Sequence, residues 1–375
     1  IHKSLVSIGV NSKMIVIRKE SKDKNILEID NFWNKFFLKV KNYLLMIISK
    51  LFYDGKSSFN FFSNSFLVKK INSYNPDYIF FHWIHAEMIS VEDLQKIRAE
   101  KIFVLHDMWW IGNHEHYFNE KKNINHFKKN FFSKIYSFSK FNLDRKRKIK
   151  LNNIVAPSQW LLDCAKKKLP NKRNFKKITY GLNLKNFKTE KKIKNKSKNK
   201  NIKLLFIGFG KVEFERKGID LLIKILSRIK EKKIELTIIG DVNQSLFQKI
   251  KIDVKFISKV SSDKKLNKIY NNNDILLFTS RQDNLPNVVL EAMSTGLPVI
   301  AFEIGGLKDL IKNNFNGYLC KPFNLNQYSK RLNNLILDKK MREKFSLNSI
   351  NYSKKNFDFK NVGNQYLSYI NKIKL

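Results

Sequence analysis

Cysteine is almost missing from this 375-residue sequence. There are two, Cys164 and Cys320, far apart and without partners at metal-ligand spacing. That argues against a disulfide framework and against a zinc site, and it fits a reducing, cytoplasmic compartment. Long apolar runs are missing as well. A membrane-crossing helix needs roughly 18 or more consecutive apolar residues. The oiliest stretch, Tyr43 to Tyr53 (YLLMIISKLFY), is shorter and carries Lys50. Acid is scarce: 32 Asp and Glu face 73 Lys and Arg, for a formal charge of +41. Two readings of that charge stand. One is codon bias, since Asn, Ile and Phe are abundant alongside Lys while Arg is scarce. The other is attraction to an anionic membrane surface or an anionic substrate. Nucleic acid is not expected as a partner. Helix-turn-helix, zinc-finger and RNP patterns are absent, and the basic residues are spread along the chain, with denser runs at Lys140 to Lys150 and Lys188 to Lys203.

What is present is a regular alternation. The hydrophobic content of 43% and the length support two domains with buried cores. In the first half, Met14 to Arg18, Tyr78 to Ile84, Lys101 to His106, Ile154 to Ala156 and Lys177 to Tyr180 read as strands. Ser90-Val-Glu-Asp93 reads as a capping box that opens a helix reaching about Ala99, and Ser158 as the cap of another. Lys185 to Asn201 is polar and lysine-rich, and reads as a linker or solvated loop. The alternation then restarts. Lys203 to Ile207, Leu236 to Ile239, Val254 to Ile257, Ile275 to Thr279 and Pro298 to Phe302 read as strands. Ile219, Leu222, Ile223, Leu226 and Ile229 mark the apolar face of a helix. This is the pattern of two α/β, doubly wound, parallel-sheet domains. Their ligands would meet the loops at the carboxyl ends of strands. Ile1 to Ile8 reads as a helix where such a domain normally opens with a strand and a glycine-rich loop, so the natural first strand is expected to lie before this sequence.

One loop carries the densest chemistry: RQDNLPNVVLEAMSTGLPVIAF, Arg281 to Phe302. It follows the strand Ile275 to Thr279. Pro286 suits the first turn of a helix, Asn284 can cap it, and Gly296 ends it. The N–H groups at such a helix start have no partners within the helix, and they carry partial positive charge suited to a phosphate. Asp283 precedes the helix and Glu291 lies more than one turn inside it, so the two carboxylates can reach different parts of one extended ligand. By spacing alone, a turn residue and an exposed helical acid is the favoured reading. A second stretch, FIGFGKVEFERKGIDLL (Phe206 to Leu222), puts glycines after a strand and Arg216, Lys217 and a glycine at a helix start. Cations there suit a diphosphate leaving group, whose charge grows in the transition state.

The run from Ser280 to Phe302 resembles the signature of family 4 of the retaining glycosyltransferases, which have the GT-B fold. It is similar to that of a branch involved in surface-polysaccharide synthesis. An acid, seven residues, Glu-Ala-Met and then G-x-P-V match, as do Gly305-Gly306 and Asn316 to Leu319. The resemblance implies two Rossmann-like domains facing across a cleft: residues 1–184 for the acceptor, a basic linker at 185–202, residues 203–350 for the nucleotide-sugar donor, and a C-terminal helix at 351–375 that can pack back on the first domain. It implies that Glu291 binds the donor's ribose, and that Asp283, where the family usually has Glu, lies by the donor sugar. Amides of Asn284, Leu285 and Asn287 would meet the diphosphate, beside Gly208 and Lys217. The family's arginine after the strand falls on Phe209, so Arg216 or Lys211 would substitute. FVLHDMWW resembles a strand-ending His-Asp-Met-Trp, which implies that His106 faces the donor sugar and that Asp107 orients it or holds the loop. Roles for His82, His85, His114 and His116 stay open between loop structure and acceptor contacts.

The implied reaction moves a sugar to a saccharide or lipid-linked acceptor hydroxyl with retention. The resemblance implies neither a metal nor another cofactor. His-rich loops suggest metal at first sight, but no H-E-x-x-H pattern is present. Phe32 to Tyr53 mixes aromatic and aliphatic residues with Lys35, Lys39, Lys41 and Lys50, and reads equally as an amphipathic helix on an anionic membrane or as a packed helix. The rival class is a non-catalytic basic binding module for membrane or polyanion, fed by Asp283 in place of Glu and Phe209 in place of Arg.

Overall fold

In the computed structural model the described residues are 1–29, 36, 39–41, 43–44, 47, 60–85, 87–112, 117, 141, 143–169, 173–190, 201–208, 214–229, 231 and 233–374. The chain separates into two units: residues 2–178 with 366–375, and residues 179–365 with Ile1.

The first unit opens with helix α1 (His2–Val6) and a two-stranded parallel pair, β1 (Met14–Val16) and β2 (Ile26–Glu28). Helix α2 (Ser65–Ser73) is capped by Asn64, whose side chain accepts the Leu67 N–H. The strands β3 (Tyr78–Phe81), β4 (Glu100–Val104), β5 (Asn153–Ala156) and β6 (Asn174–Lys177) form a four-stranded parallel sheet in sequence order. Helix α3 (Gln159–Lys168) follows β5, and the Ser158 hydroxyl accepts the Leu161 N–H as its cap. Phe81, Phe103, Trp109, Trp110, Leu161 and Ala165 share the apolar core.

Two expectations in this unit need correction. The capping box at Ser90 opens a 3-10 turn, Glu92–Lys96, rather than a helix to Ala99. The Ser90 hydroxyl does accept the Asp93 N–H, but the Asp93 carboxylate turns away to Ser63, the Asn64 N–H and Lys96. The reciprocal bond that extends such a helix is therefore missing. The strand expected at Lys177 to Tyr180 lies three residues earlier, because the ladder to β5 starts at Asn153 opposite Asn174.

The second unit is a six-stranded parallel sheet. Its strands are β7 (Ile202–Ile207), β8 (Ile234–Ile239), β9 (Asp253–Ile257), β10 (Ile275–Phe278), β11 (Val299–Phe302) and β12 (Gly317–Cys320), in the spatial order β12-β11-β10-β7-β8-β9. The order runs outward from β7 in one direction and from β10 in the other, so the reversal falls between β7 and β10. Alternation along the strands fills both faces. Leu204, Phe206, Ile275, Leu277, Ile300 and Phe302 share one core, whereas Leu205, Ile207, Leu276, Phe278, Val299 and Ala301 share another.

The connecting helices are α4 (Phe214–Lys217), α5 (Ile219–Leu226), α6 (Asp263–Asn271), α7 (Asn287–Ser294), α8 (Leu307–Leu310), α9 (Leu325–Leu337) and α10 (Lys339–Phe357), followed by α11 (Phe359–Lys374). The apolar face of α5 is wider than its spacing predicts, since Leu221 and Ile225 are buried with Ile219, Leu222 and Leu226. At about 1.5–3 kcal/mol per buried aliphatic side chain, this face alone anchors the helix. The segment expected as a solvated linker begins packed: Phe187 is buried, the Lys188 N–H bonds the Asn267 side chain, and the Thr189 hydroxyl bonds the Thr295 carbonyl. Its lysine-dense remainder, 191–200, lies outside the described residues. The last turns of α11 belong to the first unit, where Tyr366 meets Phe80 edge-on and the Tyr369 hydroxyl donates to the Asn174 carbonyl.

Candidate functional site

The strand order reverses between β7 and β10, and the carboxyl ends of strands at such a point are the usual ligand position in an open parallel sheet. Two loops meet there. The first leaves β7 at Gly208 and returns through α4 to Gly218. The second leaves β10 at Thr279 and ends at Pro286. They are tied together through backbone. The Thr279 hydroxyl donates to the Lys217 and Gly218 carbonyls, and the Arg281 N–H donates to the Arg216 carbonyl. Gly218 has φ of +68°, and a β-carbon there would collide with the Thr279 carbonyl. Gly305 has φ of +47°, and its β-carbon would collide with the Asp283 carbonyl. Both glycines are thus required by conformation and by contact. Asp220 and Arg281 add a bidentate pair at 2.8 and 2.6 Å.

This scaffold brings Arg216, Lys217 and Asp283 together. Lys217 Nζ lies 2.9 Å and Arg216 Nη1 3.3 Å from the same oxygen, Asp283 Oδ2. Arg216 also donates to the Gln282 carbonyl at 3.0 Å. Asp283 is buried, and its other oxygen accepts the Asn284 N–H. Two cations on one carboxylate leave a net positive charge at the reversal point. Gly208 closes the floor of the loop: its N–H donates to the Ile239 carbonyl, and a β-carbon would press on the Phe206 ring. The alternative cation Lys211, and Phe209 at the usual arginine position, lie outside the described residues.

Helix α7 starts two residues later than a cap at Asn284 would give. Asn284 does not cap it. The cap position is Pro286, whose extended backbone (ψ of 121°) turns its carbonyl to the N–H groups of Val289 and Leu290. Asn284 and Leu285 are buried, and the Asn284 carbonyl accepts the Gly306 N–H. Leu285 packs into the core beneath the sheet, so only its backbone can serve a ligand. Asn287, the first helical residue, is exposed. The chain leaves the helix at Gly296 as expected, with the Gly296 and Leu297 N–H groups closing on the Met293 and Ala292 carbonyls. Glu291, one turn inside α7, is not a solvated acid. Its Oε2 accepts the Tyr270 hydroxyl at 2.7 Å. Burial pushes its carboxyl up to about 7, against the opposing pull of that hydrogen bond and with a further push from Asp263. Sequence reading missed Tyr270, because the bond joins two helices 21 residues apart.

In the first unit, His106 ends β4 and its Nε2 lies 2.8 Å from Nδ1 of His82, which ends β3. Burial lowers both, His106 to about 4 and His82 well below the usual histidine range. The pair is neutral at pH 7 and shares one proton between the facing nitrogens. Asp107 holds the loop: its carboxylate accepts the Trp109 N–H at 2.9 Å. Buried Lys146 ties the same loop by donating to the Trp109 and Gly112 carbonyls. His85 packs against Trp109 and Trp83. His114 and His116 lie outside the described residues. Among the described residues no group of three or more His, Cys, Asp or Glu is arranged to hold a metal.

Comparison with known proteins identifies the fold. The chain matches sucrose-phosphate synthase from Thermosynechococcus elongatus with a TM-score of 0.72 over 99% of this chain and 91% of that one, at 14% identity. It matches Alr3699/HepE of Anabaena, solved in complex with UDP-glucose, with a TM-score of 0.62 over 82% and 81% of the two chains, at 17% identity. The fold is GT-B, with two Rossmann-like domains. Residues 187–352 match the family described as glycosyl transferases group 1. Spore coat protein SA of Bacillus subtilis (strain 168) is 33% identical over 121 residues, 32% of each chain. The alignments span only about a third of the length of this and the next curated relatives.

Proposed function

We propose that this protein is a glycosyltransferase that moves a sugar from a nucleotide-sugar donor to an acceptor hydroxyl, with retention at the anomeric carbon. Its product belongs to cell-surface polysaccharide or glycolipid synthesis, made at the cytoplasmic side of the membrane. The observation that carries this reading is the convergence of Lys217 and Arg216 on Asp283, at the strand reversal and beside the start of the helix that bears Glu291. Without donor, Asp283 offsets part of the charge of the two cations. A diphosphate competes for them and for the amide end of α7. Glu291 accepts the ribose hydroxyls, and Asp283 is left beside the donor sugar. The bond from the anomeric carbon to phosphate breaks with its electron pair going to the diphosphate. The acceptor oxygen bonds that carbon on the same face, and its proton passes to the departing phosphate oxygen. Lys217, Arg216 and the helix end supply the positive charge, so the chemistry requires no metal. His106 of the first unit is a neutral imidazole that can exchange hydrogen bonds with a sugar hydroxyl.

The test is transfer by Lys217→Ala and Glu291→Ala. Each is expected to lose at least tenfold, about 1.4 kcal/mol of transition-state stabilisation. Wild-type turnover from both would remove the assignment.

An anionic membrane surface is a second partner of the proposed enzyme. Phe36, Val40, Tyr43, Leu44 and Ile47 are helical and exposed, at spacings that share one helix face, and Lys39 and Lys41 stand beside them. Among the described residues no helix is long and apolar enough to cross a membrane, so the expected mode is interfacial. Flotation with vesicles containing anionic lipid is expected for the wild type and not for Phe36→Glu/Leu44→Glu. Equal flotation of both would contradict it.

A further inference from the structure

Helix α6 is a polar helix with one anomaly. Of its residues only Asn267 and Tyr270 are buried, and Tyr270 is fully enclosed, with its ring against Phe187. A phenylalanine would fill the same space without bringing a hydroxyl into the core. A buried tyrosine hydroxyl needs a partner, and this one donates to Glu291 Oε2 at 2.7 Å. Glu291 needs the bond as much. Helix α7 carries no cation, and the flanking strands β10 and β11 contribute only apolar side chains. The titratable groups that act on the Glu291 carboxyl are Tyr270 and Asp263 of α6, and Tyr352 of α10 packs against the same core. Tyr352 is kept neutral by burial and donates to the Asp309 carbonyl, and the nearby lysines of α10, Lys354 and Lys355, are exposed. Of these, Tyr270 alone favours the ionised carboxylate.

From this geometry we propose that Tyr270 is a positioning residue for Glu291. Its hydroxyl fixes one carboxylate oxygen and leaves the other to accept a hydrogen bond from the ribose of a nucleoside diphosphate. The inference rests on the donor-site reading above and deepens it. Ribose hydroxyls donate to the ionised carboxylate, and Glu291 titrates at about 7. Nucleotide affinity therefore falls as pH drops through 7, and binding just below that pH releases a proton. Removing the phenol hydroxyl removes the one influence that lowers the carboxyl's pKa, so the pH midpoint of affinity moves up.

The experiment is calorimetric binding of UDP, GDP and ADP from pH 5.5 to 9 by wild type, Tyr270→Phe, Glu291→Gln and the double variant. Tyr270→Phe is expected to lose about five- to tenfold in affinity at pH 7, with the midpoint about one pH unit higher. The loss should shrink at pH 9. Glu291→Gln should bind weakly with a flat pH profile, which the second substitution leaves flat. A Tyr270→Phe variant with the wild-type midpoint, or with the same loss at every pH, would show a merely structural tyrosine and overturn the proposal. The double variant guards against misfolding: if adding Tyr270→Phe to Glu291→Gln weakens nucleotide binding further, the effect is on packing and the proposal also fails. Absence of nucleotide binding by the wild type would overturn the donor-site reading itself, and this inference with it.

Discussion

The two units build loops at the carboxyl ends of parallel strands by different electrostatic means. In the second unit the loops after β7 and β10 gather full charges: Lys217 and Arg216 on Asp283, and Arg281 on Asp220. In the first unit the loops after β3 and β4 bring the neutral His82–His106 pair beside Trp83, with Trp109 and Trp110 nearby, while Asp107 and Lys146 bond the backbone of the same loop. The difference teaches what each set can hold. Cations held on a carboxylate suit a diphosphate, which can compete for them. Neutral imidazoles among indoles suit sugar hydroxyls and apolar ring faces.

The contrast extends to pH. Glu291 is raised to about 7, above its unfolded range. Between roughly pH 4.5 and 7 the folded state then holds the extra proton, and stability falls as pH rises. His106 is lowered to about 4. Between that pH and roughly 6.5 the unfolded chain holds the extra proton, so stability rises with pH. The two groups pull in opposite directions over the same window.

The strongest way to break the charged arrangement is through its backbone. Gly305→Ala forces a β-carbon into the Asp283 carbonyl and is expected to cost about 3 kcal/mol or more, read as a large drop in melting temperature. Gly305→Ala that melts with the wild type would mean that the loops are not locked. Next comes Glu291→Gln. It is expected to stabilise the protein by on the order of 2–3 kcal/mol above pH 7 while weakening donor binding, with the stability gain vanishing below about pH 4.5. A gain that persists in acid would contradict the titration assigned to Glu291. A smaller effect is expected from His82→Phe, which leaves His106 alone at the end of β4. The acid-side loss of stability between pH 6.5 and 4 should flatten, while donor affinity at pH 8 stays within about twofold of wild type. An unchanged acid limb would separate the pair from that loss.

Much of the second unit was legible because most of its strands are buried on both faces and read as short apolar runs. The exception is β12, Gly317–Cys320, which overlaps the Asn316 to Leu319 match but is too short and too glycine-led to read as a strand. Legibility fell in the first unit, where side-chain bonds decide local structure. Asp93 spends its carboxylate on Asn64 and Lys96 rather than on a capping box, and β6 is set by register against β5 rather than by its own polar sequence. At the site, Asp283, Arg216 and Lys217 were read as separate ligand contacts, and the structure adds that they hold one another. Tyr270 and His82 could not be paired with Glu291 and His106 from spacing, since each bond crosses between elements more than 20 residues apart. Arg281 stood inside the quoted signature, yet nothing in its sequence neighbourhood pointed to Asp220.

The central claim is that the charged site at the reversal between β7 and β10 binds a nucleotide-sugar donor. The most direct measurement is the melting shift of wild type and Lys217→Ala across a panel of UDP-, GDP- and ADP-sugars, with a nucleic acid as polyanion control. At least one nucleotide sugar is expected to stabilise the wild type by several degrees, and Lys217→Ala far less. Stabilisation by the polyanion alone, equal in both proteins, would contradict the account and favour a basic binding module.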